Sequence, residues 1–371
     1  MRRVTVLVLV LGSLAQPAAA SGAAAPAREP AAAQGTETFS TDAAFAHVRR
    51  LAGRIGPRPA GSAAYRRALR YVRGRFETSG FDVRRQGFRL PQGGRSWNLV
   101  ARRPGDGDVR LLIGAHLDTV GGSPGGNDNA SGVAVVLELA RILSATGGPP
   151  PGLALVAFGA EEFQPGGDHH LGSDAYVDRM RAPERRALEL MVSADMIGKV
   201  RRFIAASLNG TPRRGSRILA RAARAVGFRA NVRSLGDISD HGPFARAGTP
   251  AAFLWTGPEP NHHLPTDVVR NCRPRALHRA GAVLLGLIED RLGALGLPQP
   301  HAIERSASIP IDQDHLLHPP SQEVGPRLAQ PGLGGLPLVE RLGLPRLRAV
   351  GVEIPPHEHG LQDTTGPRLR T

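Results

Sequence analysis

The sequence predicts an α/β fold in which a mainly parallel, mixed central sheet carries helices on both faces within a single domain. Three observations lead there. Short apolar runs of strand length recur along the chain, without the polar alternation of a half-solvated strand, so both faces of those strands are buried. Segments with apolar residues at helical spacing separate them, and strands alternating with helices build a sheet covered on both sides. The 371 residues are 41% hydrophobic and show no internal repeat, which suits one sizeable globular core.

Thr41-Asp42 is the start signal of a first helix through Ala46, Val48 and Leu51, and a second helix spans about residues 60–79. Residues 108–114 form the first strand, with Val109, Leu111, Leu112 and Ile113, and residues 131–143 an apolar-faced helix. Residues 152–158 are a second buried strand, followed by a helix near 173–181, and residues 188–194 are a third strand. A helix over 218–226, a strand over 251–255 and a closing helix over 276–291 complete the pattern.

The chain ends differ in character from this core. Arg2 and Arg3 precede an apolar run from Val4 to Leu14, and Ala18-Ala19-Ala20 supplies small residues, the order of a secretory signal peptide over residues 1–20. Such a run is shorter than the roughly 20 residues of a permanent span, so the mature protein is expected to be secreted or periplasmic, without stable membrane insertion. An Ala/Pro/Gly stretch makes residues 21–40 a flexible leader, and the catalytic domain is expected over 41–297. Residues 298–371, rich in Pro, Gly, Leu and Arg without periodicity, read as a poorly ordered tail, and His357-Glu358-His359 within it as solvated side chains.

The net charge of +15 invites a nucleic-acid partner, but none is expected: the arginines are scattered, Lys199 is the only lysine, and no nucleic-acid motif accompanies them. The single cysteine, Cys272, excludes an intrachain disulfide and a thiolate metal cluster.

The chemistry sits at the ends of the expected strands. His116 and Asp118 follow the first, Glu161 and Glu162 the second, Asp195 ends the third, and His263 follows the fourth, in Asn261-His262-His263-Leu264-Pro265. Ligands of open α/β sheets bind outside the carboxyl ends of the strands, so these imidazoles and carboxylates converge on one crevice and compose a metal site. Gly125-Gly126-Asn127-Asp128-Asn129 leads into the next helix, and its glycines let the backbone fold tightly enough for Asp128 to reach the crevice. Alone, the same stretch reads as a glycine loop with Asp128 as helix N-cap. Adjacent residues at a strand end point in different directions, so one of Glu161 and Glu162 can bind metal while the other faces the water. No phosphate-binding Gly-Lys-Ser/Thr is present.

The order His-x-Asp, Gly-x-Asn-Asp-Asn-Ala-Ser-Gly, Glu-Glu, Ser-Ala-Asp-Met and His-x-Pro-x-Asp resembles the co-catalytic zinc aminopeptidases of peptidase family twenty-eight, over about Ala43 to Leu292. The resemblance implies a zinc exopeptidase-like fold, two Zn2+ per chain, and peptide substrates with a free N-terminus. It implies that His116 and Asp195 hold one zinc, Glu162 and His263 the other, and that Asp128 bridges them. Glu161 is then the general base, acting on a water acidified by two metals about 3.5–4 Å apart, and Asp118 orients the His116 ring. The family usually places an aromatic residue, often tyrosine, where this chain has His262, which can offer the oxyanion an N–H instead. Ser239-Asp240-His241-Gly242-Pro243-Phe244 also resembles a pocket-lining segment in which His241 either contacts substrate or is structural, and His169 and His170 read as rim residues. Glutaminyl cyclases, which use one zinc on the same fold, are the alternative function. A binding module that keeps the fold without catalysis is the other.

Overall fold

The computed structural model describes residues 38–293. They make helix α1 (Thr41–Val48), a wider π-helical turn (Arg49–Ile55), α2 (Ala63–Thr78), β1 (Asp82–Arg89), β2 (Arg95–Arg102), β3 (Leu111–His116), α3 (Ala130–Ala145), β4 (Leu153–Phe158), α4 (Leu171–Arg179) and α5 (Ala182–Ala187). Then come β5 (Leu190–Ala194), β6 (Phe203–Leu208), α6 (Arg214–Ala225), β7 (Ala230–Leu235), α7 (His241–Arg246), β8 (Ala251–Trp255), a 3-10 turn (Val269–Asn271) and α8 (Pro274–Leu292). The expected signal peptide, the leader up to residue 37 and the tail from 298 lie outside the described residues. No helix among the described residues is long and apolar enough to cross a membrane.

The strands form one mixed sheet in the order β1-β2-β4-β3-β5-β8-β6-β7. Its centre is parallel: β3 pairs with β4 and β5, and β5 with β8. These four are the strands expected from the apolar runs. Their residues alternate between two apolar layers. Leu111, Ile113 and Ala115 of β3 and Leu153, Leu155 and Ala157 of β4 face the core shared with α1, α2, α3, α6 and α8. Leu112, Ala154, Val156 and Phe158 face a second cluster with Val177 of α4 and Phe244 of α7. Burial on both faces is what removed the polar alternation from the sequence.

The flanking strands β1, β2, β6 and β7 are not expected from the apolar runs. Antiparallel pairing joins β2 to β4 and β6 to β8, which makes the sheet mixed. β1 is an edge strand in which Arg84, Arg85 and Arg89 are exposed and only Phe88 is fully buried, so it carries no apolar run to detect.

Helix starts depart slightly from the sequence reading. Ser40, not Thr41, caps α1 by accepting the Ala43 N–H at 3.2 Å. Its own N–H donates to Glu138 at 2.7 Å and Phe39 is buried in the core, so the packed unit already includes residues read as leader. Asn129, not Asp128, caps α3, accepting the Gly132 N–H at 2.8 Å and freeing the Asp128 carboxylate for other work.

Candidate metal centre

The carboxyl ends of β3, β4, β5 and β8 bring His116, Asp128, Glu161, Glu162, Asp195, His262 and His263 into one cleft. His116 Nε2 lies 3.1 Å from Asp128 Oδ1, 3.2 Å from Asp195 Oδ1 and 3.8 Å from Glu161 Oε2. On the other side His263 Nε2 stands 2.9 Å from Glu162 Oε2 and 3.4 Å from Asp128 Oδ2. Asp128 thus presents one oxygen to each half of the cleft. His262, with a half-exposed side chain, places Nε2 3.2 Å from the same Asp128 Oδ2.

The donor set fits divalent cations. Potential ligand atoms of His116, Glu161 and Asp195, of His116, Asp128 and Glu162, and of Asp128, His262 and His263 form three groups, each within 4.8 Å. Glu162 Oε1 and Asp128 Oδ2 are buried with no well-formed hydrogen bond among the described residues. Burial, and then the Asp128 charge, pushes the Glu162 carboxyl up to about 8. Burial also raises Asp195 against the pull of His116. Burial opposes a charged His116 ring, yet Glu161, Asp195 and Asp128 together hold it well above its ordinary value. Carboxylates crowded in a dry cleft are what a bound dication would neutralise.

The supporting contacts explain why these side chains are aimed as they are. Gly125 takes φ +61°, and a Cβ there would strike the Asp128 carbonyl and Thr119, so the loop closes only around glycine. Asp267 accepts the N–H groups of Asn127 and Asp128, each at 2.9 Å, tying this loop to the one that follows β8. Asp195 Oδ2 accepts the Ser239 hydroxyl at 2.9 Å, leaving Oδ1 for the cleft. Asp118 accepts the N–H groups of Glu161 and Glu162 at 3.1 and 3.2 Å. It stands 3.9 Å from His116 Nδ1, beyond hydrogen-bond reach, while its two oxygens hold the amides of the Glu161–Glu162 turn.

Sequence reasoning missed Arg58. It is fully buried beneath the cleft, where its Nε donates to the Leu117 carbonyl at 2.6 Å and its guanidinium to Pro124 and Gly125 at 2.7 and 3.2 Å. Burial pulls it down to about 10 against the opposing charges of Asp118, Asp128, Asp267 and Glu162. Nothing marks it among the chain's other arginines. Asp267 lay inside the quoted His-x-Pro-x-Asp motif without a role.

His241 is buried, lowered to about 4 by burial and stacked on Phe253 at 5.4 Å, outside the cleft lining. That geometry gives it a packing role. His170, expected on the rim, is 3% exposed and reaches Glu161.

A sheet that gathers imidazoles and carboxylates at its central strand ends defines a class of α/β domains built around metal ions. The sequence pattern described as Peptidase family M28 matches residues 98–288, and the chain belongs to that family. Aminopeptidase YwaD of Bacillus subtilis (strain 168) is 33% identical over 190 residues, covering 48% of this chain and 40% of the relative. The chain spans less than half the length of the curated relatives it matches first. Among solved structures, BSAP, a zinc aminopeptidase from Bacillus subtilis, shares the fold with TM-score 0.62 at 20% identity, over 69% of this chain and 96% of that one. Tannerella forsythia glutaminyl cyclase does so with TM-score 0.59 at 24% identity, over 68% of this chain and 99% of that one.

Proposed function

We propose that this chain is an exported zinc-dependent aminopeptidase that hydrolyses the N-terminal bond of peptides, with Glu161 as general base. The observation that carries this reading is the buried Asp128 carboxylate, turned with one oxygen to His116 and the other to His263. His116 and Asp195 would hold one zinc, Glu162 and His263 the second, with Asp128 shared. When bound, the two ions supply Lewis acidity, acidifying a water and taking up the charge that develops on the substrate carbonyl.

Glu161 does the proton work. Its Oε2 faces the cleft beside His116, positioned to take a proton from water and to return it to the leaving amine. Asp118 fixes the backbone on which Glu161 and Glu162 diverge. His262 overhangs Asp128 and can direct a ring N–H toward the developing oxyanion. The cleft, about 300 Å³, is at the small end of ligand pockets, and Met196, Phe253, Trp255 and Phe163 give it apolar walls. Such a space suits one terminal side chain better than a through-running polypeptide.

A second reading is cyclisation of N-terminal glutamine, because a glutaminyl cyclase shares this fold. A panel of aminoacyl-anilides and a glutaminyl peptide, assayed with and without chelator alongside zinc analysis, separates the two. Chelator-sensitive anilide hydrolysis with two zincs per chain is expected. One zinc per chain with cyclisation of the glutaminyl peptide would select the cyclase, and neither activity in zinc-loaded protein would reject both.

A further inference from the structure

Four non-glycine residues among those described adopt left-handed backbone: Ala160, His170, Met196 and His263. Strained backbone of this kind gathers at functional sites. Ala160 precedes Glu161, Met196 follows Asp195, and His263 is a candidate ligand. His170 is the one of the four to which the proposed mechanism assigns nothing.

Its surroundings supply a task. The His170 N–H donates to the Glu161 carbonyl at 2.9 Å, and the next N–H, of Leu171, to the Ala160 carbonyl at 2.8 Å, so the loop folds back onto the Glu161 turn. The ring then meets the same residue again, with Nε2 3.0 Å from Glu161 Oε1. A carboxylate can only accept, so Nε2 carries the hydrogen. Nδ1 lies 3.4 Å from Asp237 Oδ1 and 2.8 Å from His169 Nδ1. Asp237 pairs in turn with Arg246, which also reaches Asp174 at 2.9 Å. The simpler role, side-chain capping of α4, does not apply: His170 is the N-cap residue, yet its side chain makes no capping bond.

We propose that His170 is a positioning residue for Glu161, fixing Oε1 so that Oε2 alone faces the reacting water. This rests on the reading of Glu161 as general base. Losing the contact lets the carboxylate rotate, and a base misplaced by about 1 Å loses on the order of a hundredfold in rate.

The test uses the zinc-loaded full chain with His170→Leu, which removes the donor, and His170→Gln, which restores an N–H. Both bear the same left-handed backbone, so strain cancels between them. Zinc content should match the parent in both. His170→Leu should lower kcat by about ten- to a hundredfold with KM nearly unchanged, His170→Gln should recover most of the loss, and in a Glu161→Gln background His170→Leu should add nothing. A readout independent of turnover is the long-range 1H–15N spectrum of the zinc-free protein, in which Glu161→Gln should shift the His170 Nε2–H signal. Parent-like kcat in His170→Leu, failure of His170→Gln to recover, or an unmoved His170 signal would overturn the proposal. Turnover surviving in Glu161→Gln would instead overturn the base reading, and the spectrum would still report whether the two side chains touch.

Discussion

Glu161 and Glu162 are neighbours in sequence but not in electrical environment. Burial opposes ionisation of both, yet His116 and His170 draw Glu161 below its ordinary value while Asp128 helps push Glu162 to about 8. The first is a ready carboxylate, and the second, which the His263 contact relieves only in part, would be relieved further by a cation. Glu161→Gln should therefore keep its zinc and lose about a hundredfold or more in turnover, whereas Glu162→Gln should lose metal. Metal analysis beside anilide assays checks both, and zinc loss in Glu161→Gln would mean the roles are exchanged. His262→Ala should slow turnover, while His262→Tyr, which keeps a donor over Asp128, should hold or raise it; equal rates for both and the parent would show that this residue does not meet the transition state. Arg58→Met leaves the Leu117, Pro124 and Gly125 carbonyls without their buried donor. It should cost about 3–5 kcal/mol in denaturant unfolding, and a loss under 1 kcal/mol would refute a structural role. The cleft residues were legible because four buried strands are each followed by an imidazole or a carboxylate. Arg58 and His170 were not, since what distinguishes them is burial against partners about 60 and 9 positions away.

At the scale of elements, the central parallel strands were readable from apolar runs buried on two faces, and the flanking strands were not. β1 and β7 are half solvated, and their pairing is fixed by neighbours, not by their own residues. The helix pattern was read better because its period survives one polar face. The tie between two loops escaped notice for another reason: Asp267 and Asp128 lie 139 residues apart, and only the assembled sheet brings them together. This tie predicts a measurable effect. Asp267→Asn removes the charge that holds the Asn127 and Asp128 amides, and zinc affinity should weaken about ten- to a hundredfold in competition with a chelating dye. An unchanged affinity would show that the glycines alone hold the loop.

For the whole molecule, the crowded cleft should make stability depend on metal. Zinc at a hundred times its Kd should add about 2.7 kcal/mol per site, raising the melting temperature by roughly 5–10 °C, and chelation should reverse the shift. A chain ending at residue 297 should melt and hydrolyse like the full chain, because the cleft and both apolar layers lie within residues 38–293; loss of folding in that variant would assign the tail a packing role. The net charge of +15 finds a use at the ends of the sheet. Arg84, Arg85 and Arg89 stand along β1 and Arg233 on β7, the two strands that pair on one side only among the described residues. Two copies meeting edge to edge would set like charges about one strand spacing apart, roughly 4.8 Å. Arginines on both edge strands would therefore disfavour the edge-to-edge pairing by which a β-sheet most readily grows into a fibre.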